Sequence, residues 1–105
     1  MAWITLFIAG VLEVVWAFSM KQSSGFTRFV PSVITVSTMV ASFVLLAQAM
    51  RTLPLGTAYP VWTGIGALGA FVVGVVFLGE TLSLMRMLAA LLVVSGVILF
   101  SIAES

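Results

Sequence analysis

The stretch FVPSVITVSTMVASFVLLAQAM, Phe29 to Met50, runs from Arg28 to Arg51 without one ionisable side chain. About 20 consecutive apolar residues are enough for a helix to cross the hydrocarbon core of a bilayer. Working outward, the same reading applies to the rest of the chain. The charges Glu13, Lys21, Arg28, Arg51, Glu80, Arg86 and Glu104 leave four apolar runs, Ala2–Met20, Phe29–Met50, Leu55–Leu78 and Leu84–Ala103. The chain has 105 residues, 63% hydrophobic and 7% charged, too little polar material to cover a water-facing surface. Soluble domains carry about a quarter charged residues. The bilayer is therefore the solvent, and the expected fold is an all-α membrane protein, a single four-helix transmembrane domain over residues 1–105.

Composition excludes several functions. Cysteine, histidine and aspartate are absent. Thiolate chemistry, disulfides, zinc sites and serine–histidine hydrolysis therefore lack their residues. No enzyme activity, metal or cofactor is expected. A net charge of +1 offers no footprint for nucleic acid. The first run has no basic residues before it and is longer than the apolar core of a typical signal peptide.

The links Lys21–Arg28, Arg51–Pro54 and Gly79–Ser83 are short, so consecutive helices lie antiparallel. Ser23, Ser24 and Gly25 mark a turn. Pro31 sits where an early helical position tolerates proline, and Pro54 does the same for the third helix. Thr81 or Ser83 can cap the fourth. Lys21, Arg28 and Arg86 fall on one side of the membrane, Arg51 and the terminal amine on the other. Orientation follows the Lys/Arg excess near helix ends. So small a bias specifies it weakly, and both a single orientation and insertion either way round remain open. Gly66, Ala70 and Gly74 form a small-residue row in the third helix. Ala89, Ala90, Ser95 and Gly96 form a less regular one in the fourth. Such rows serve close helix contacts, within one subunit or between two. A homodimer would provide eight helices and room for a central cavity.

Glu13 is the residue most informative about function. It lies about two-thirds of the way along the first run, and the one basic residue in any run, Arg86, sits at the very start of the fourth rather than at a depth to pair with it. Ionisable residues at that depth are costly and mark ion or proton pathways. Low dielectric disfavours the charged form, so such a carboxyl can hold a proton or release it to accept a cation. Gly10, Glu13, Ala17 and Met20 share one helical face, with Trp16 beside Glu13. Thr35, Thr38 and Ser42 make a hydroxyl stripe on the second helix. Tyr59, Trp62, Gly66 and Ala70 share a face of the third. Trp3 fits the membrane interface, where tryptophan is enriched. Trp16 and Trp62 lie deeper and need partners for their N–H groups. Carboxylate, hydroxyls and aromatic faces together suit a cation. Gly64-Ile65-Gly66 near the middle of the third helix serves either bending or close packing.

At these residues the sequence resembles the small multidrug resistance family of bacterial transporters over essentially its whole length. The resemblance rests on Leu12-Glu13-Val14-Val15-Trp16-Ala17 with Lys21, on Gly25-Phe26-Thr27-Arg28 and Pro31-Ser32, and on Ala41-Ser42-Phe43. It continues through Gly56-Thr57-Ala58-Tyr59, Trp62 and Gly64-Ile65-Gly66. Trp16 and the run Trp62–Gly69 look like the branch that exports guanidinium rather than the one that exports bulky quaternary ammonium cations. The resemblance implies an antiparallel, dual-topology homodimer in the bacterial inner membrane. It implies that guanidinium and protons compete for two glutamates, one from each subunit. Carried over, Glu13 would bind guanidinium or proton. Trp16 and Ser42 would hold its carboxylate by hydrogen bonds, and Tyr59 and Trp62 would line the site. Gly64 and Gly66 would permit the bend between inward-open and outward-open states. Pro60 departs from the family pattern, in which alanine usually follows the tyrosine. The alternatives are a broader multidrug cation–proton antiporter of the same fold and a small dual-topology ion channel.

Overall fold

The computed structural model describes residues 1–103, so Glu104 lies outside the described residues. It contains four helices: α1 (Ala2–Gln22), α2 (Phe29–Ala49), α3 (Leu55–Phe77) and α4 (Leu84–Ala103). Each is long and apolar enough to cross a membrane. The boundaries differ little from the apolar runs. α1 continues through Lys21 and Gln22, because a basic residue is favourable in the last turn of a helix, where carbonyls point outward. Glu13 therefore sits just past the midpoint of α1, closer to the bilayer centre than the run Ala2–Met20 suggests.

The turn after α1 is built around Ser23, which is fully buried. Its hydroxyl donates to the Met20 carbonyl at 2.7 Å and accepts the Phe26 N–H at 3.0 Å. Its own carbonyl accepts the N–H groups of Thr27 at 2.9 Å and Arg28 at 3.1 Å. These bonds hold Ser24, Gly25 and Phe26 at φ of 50°, 73° and 68°. Pro31 lies in the first turn of α2, where a missing N–H costs nothing. Pro54 stands one place outside α3 as its extended N-cap. Ser83, not Thr81, caps α4, its hydroxyl accepting the Arg86 N–H at 3.2 Å.

The helices form a slab of 42 × 34 × 17 Å rather than a closed bundle. α1 packs against α2 and α3, α2 has slight contact with α3, and α4 packs on α3 alone. The buried apolar cluster lies toward the Arg51 end. It comprises Leu6 and Ala9 of α1, Leu46 and Ala49 of α2, and Ala58, Val61 and Trp62 of α3. Trp3 packs against this cluster from its edge. α4 has no buried residue. A Cβ at Gly96 would meet nothing within 4 Å, so this position leaves open space beside α3.

The row Gly66–Ala70–Gly74, in contrast, works within the subunit at both of its glycines. Space for a Cβ at Gly66 is taken by the Glu13 side chain, and at Gly74 by the Glu80 carboxylate. Gly10 and Gly69 extend this contact, receiving Ile65 and Val14. α1 and α3 thus approach through glycine notches in both helices, the small-residue packing that membrane helices use where no hydrophobic drive operates between them.

Candidate functional site

Glu13 projects from the middle of α1 onto α3, where Gly66 leaves room for its carboxyl. Its Oε1 is buried and has no hydrogen-bond partner within the subunit. The indole Nε1 of Trp16, one turn further along α1, is likewise buried without a partner. Leaving such groups unpaired costs about 1–3 kcal/mol each, more for a charged one. The subunit therefore presents an unmet acceptor and an unmet donor close together at bilayer depth.

Ser42 lies in the middle of α2 and is fully buried. Its hydroxyl donates to the Ala9 carbonyl of α1 at 2.7 Å and accepts the Nε1–H of Trp62 from α3 at 3.0 Å. One hydroxyl thereby joins three helices, one turn from Glu13. This corrects an expectation. Ser42 does not hydrogen-bond the Glu13 carboxylate within the subunit, because its single proton is given to Ala9, and Trp62 gives its own proton to Ser42. Trp16 does not hold the carboxylate either, its N–H being unpartnered. The rest of the hydroxyl stripe turns inward on its own helix. Thr35 donates to Pro31 at 2.8 Å, and Thr38 to Ile34 at 2.7 Å. Both satisfy carbonyls that lie one turn back.

The aromatic residues form a series of neighbouring rings. Trp16 meets Phe43 edge-on at 6.4 Å, Phe43 meets Trp62 at 5.8 Å, and Trp62 meets Tyr59 at 5.6 Å. Phe43 joins the two tryptophans and was not among the candidate residues. The signal was its place directly after Ser42, but facing residues cannot be read from one helix alone. Trp62 lies one turn before Gly66 on α3, so the ring series and the Glu13 seat share a face. Tyr59 is half exposed and stays against Trp62 despite Pro60. Pro60 removes one bond to the Gly56 carbonyl, yet α3 runs on to Phe77.

Gly64 and Gly66 are both buried in this uninterrupted helix. A Cβ at Gly64 would lie 2.5 Å from Val97 of α4. In this conformation the two glycines serve close packing on opposite neighbours, α4 and α1. Beside Gly64, Tyr59, Pro60, Val93, Gly96 and Phe100 line an open groove of about 440 Å³ between α3 and α4.

Four apolar helices, with a buried carboxyl and a row of aromatic rings between them, define a small multi-pass membrane protein. The sequence matches the family model described as Small Multidrug Resistance protein over residues 1–100. A relative from Escherichia coli (strain K12), named Guanidinium exporter, is 57% identical over 98 residues, 93% of each chain. Another of that name, from Citrobacter freundii, is 56% identical over 98 residues, again 93% of each chain. A third, from Yersinia pseudotuberculosis, is 55% identical over 104 residues, 99% of this chain and all of its own. The chain belongs to the small multidrug resistance family.

Proposed function

We propose that this protein exports guanidinium across the bacterial inner membrane in exchange for protons, working as an antiparallel homodimer of dual-topology subunits. The observation that carries this reading is Glu13, a carboxyl at mid-bilayer whose buried oxygen has no partner in its own subunit. Such an acceptor suits a ligand that brings several N–H donors. Guanidinium is planar, stays charged at neutral pH and presents paired N–H groups that match a carboxylate. The rings of Trp16, Phe43, Trp62 and Tyr59 supply faces against which a planar cation can lie. The names of the relatives support the same substrate.

A deprotonated Glu13 attracts guanidinium, and a proton arriving there neutralises the attraction and releases it. Exchange follows when only the occupied carrier changes sides. Ser42 acts as a positioning residue through Trp62, and Tyr59 and Trp62 line the site. Gly64 and Gly66 are the points at which α3 bends between states, glycine being where a helix yields most readily. α4, which buries none of its own residues within the subunit, supports a second subunit. The small charge bias supports both orientations.

The test is uptake into sealed proteoliposomes under an imposed proton gradient. Guanidinium accumulation that collapses with the gradient is expected, with tetraethylammonium transported at least tenfold more slowly. Equal rates for both cations would make it a broad multidrug carrier. Flux indifferent to the gradient would make it a channel.

A further inference from the structure

The structure displays a guanidinium group already bound, and it belongs to the chain itself. Arg86, in the first turn of α4, reaches back past the α3–α4 link. Its Nη2 donates to the Glu80 carboxylate at 3.1 Å, and its Nη1 donates to the Thr81 carbonyl at 2.7 Å. The guanidinium carbon lies 5.1 Å from the centre of the Phe71 ring. A carboxylate, a carbonyl and an aromatic face are the three kinds of group that recognise a guanidinium ion. They are also held in place. The Glu80 N–H bonds to the Gly74 carbonyl at 3.1 Å, and its carboxylate lies over Gly74 where a Cβ would meet Oε1 at 2.5 Å. Gly79 turns the chain there with φ of 67°.

We infer that Glu80, the Thr81 carbonyl and Phe71 form a second guanidinium site at the end of the bundle, filled in cis by Arg86 and open to free guanidinium when that side chain withdraws. The inference rests on the reading of guanidinium as substrate. Arg86 and Glu80 keep 38% and 43% of their side-chain surface exposed, so the site is open on its outer face. Glu80 also lines a cleft of about 140 Å³ between α1 and α3. The walls of that cleft run from Lys21 to Val14, the residue next to Glu13. Lys21 is the one basic residue lining this cleft among the described residues, and it opposes occupancy by a second positive charge. The tethered Arg86 competes at the high effective concentration of any intramolecular ligand. The intact site is therefore weak, and removing Arg86 should strengthen it.

The experiment is calorimetric titration of guanidinium chloride into purified protein in detergent, with Glu13→Gln removing the central carboxylate throughout. The double variant Glu13→Gln/Arg86→Ala should bind guanidinium at least tenfold more tightly than Glu13→Gln alone. Adding Glu80→Gln should abolish that gain, and Phe71→Leu should reduce it. Arg86→Met, which keeps the apolar stem, takes the place of the alanine variant if size-exclusion chromatography shows the latter aggregated. No gain on removing Arg86, or a gain that survives Glu80→Gln, overturns the inference. The unsubstituted protein is titrated alongside. If it fails to bind guanidinium while the Arg86 variants gain, the substrate reading of Glu13 fails and the second site stands. If it binds guanidinium while the Arg86 variants show no gain, the second site fails and the substrate reading of Glu13 stands.

Discussion

Ser42 has one proton to give and gives it to Ala9, leaving its oxygen to receive the Trp62 N–H. Ser42→Ala therefore strands a buried indole donor, at a cost of about 1–3 kcal/mol. A lower midpoint in thermal unfolding, with Ser42→Thr closer to the parent, is the expected result. Glu13 makes a different demand. Glu13→Gln keeps shape and polarity but cannot take up and release a proton, so elution on size exclusion should be unchanged while gradient-driven guanidinium uptake is lost. In the proposed exchange, proton and guanidinium compete for one carboxylate. Lowering the pH through the Glu13 titration neutralises the group that attracts the cation, so the apparent Kd for guanidinium should rise as pH falls. The limiting amount bound should stay constant. With two such carboxyls in a dimer, the titration belongs to the pair. Equal affinity across a wide pH series would mean that proton and substrate occupy separate places. Helical spacing set Glu13, Trp16, Ser42, Tyr59 and Trp62 on faces that suit a cation, and the family resemblance singled them out from their neighbours there. It could not say that Ser42 would bond a backbone carbonyl on α1, because every helical carbonyl looks alike in a sequence.

The contact between α1 and α3 is made of side chains set into glycine notches, Ile65 into Gly10 and Val14 into Gly69. Gly10→Ala places a methyl 2.5 Å from Ile65 Cγ2 and 2.8 Å from its Cβ. Overpacking of this kind costs about 1–3 kcal/mol. Gly56, where a Cβ meets nothing within 4 Å, is the control. Gly56→Ala should be neutral or stabilising by about 0.5–1 kcal/mol, since alanine is the better helix former. Unfolding of both variants in the same detergent checks the contrast. The four helices were legible because membrane-spanning length and the placement of charges leave little choice. Which glycines met which partners was not legible. The spacing of Gly66 and Gly74 identified a small-residue row, yet both positions turn out to seat carboxylates, Glu13 and Glu80. Gly10 shared the Glu13 face in the sequence reading, but its partner Ile65 did not emerge from the pattern. Helical periodicity gives the face of a residue and says nothing of the height at which a neighbouring helix crosses.

The molecule as a whole is a slab whose last helix leans on α3 and on nothing else among the described residues. That arrangement leaves unmet polar groups at Glu13 and Trp16 on one part and exposed apolar surface on another, the features on which the proposed dimer rests. If both orientations occur, a cysteine at the exposed Thr52 should be labelled by an impermeant maleimide from each side of a sealed membrane. Labelling from one side only would rule out dual topology. The Ser23 knot bears on how such a chain could be made. Its bonds join hydroxyls and backbone groups of residues 19–28 and use no charged side chain. A ribosome delivers α1 and α2 first, and the hairpin they form can fasten itself before α3 is synthesised. The fastening itself draws on no charged group, so the choice of which way up the hairpin enters the bilayer is left to Lys21 and Arg28 at its ends.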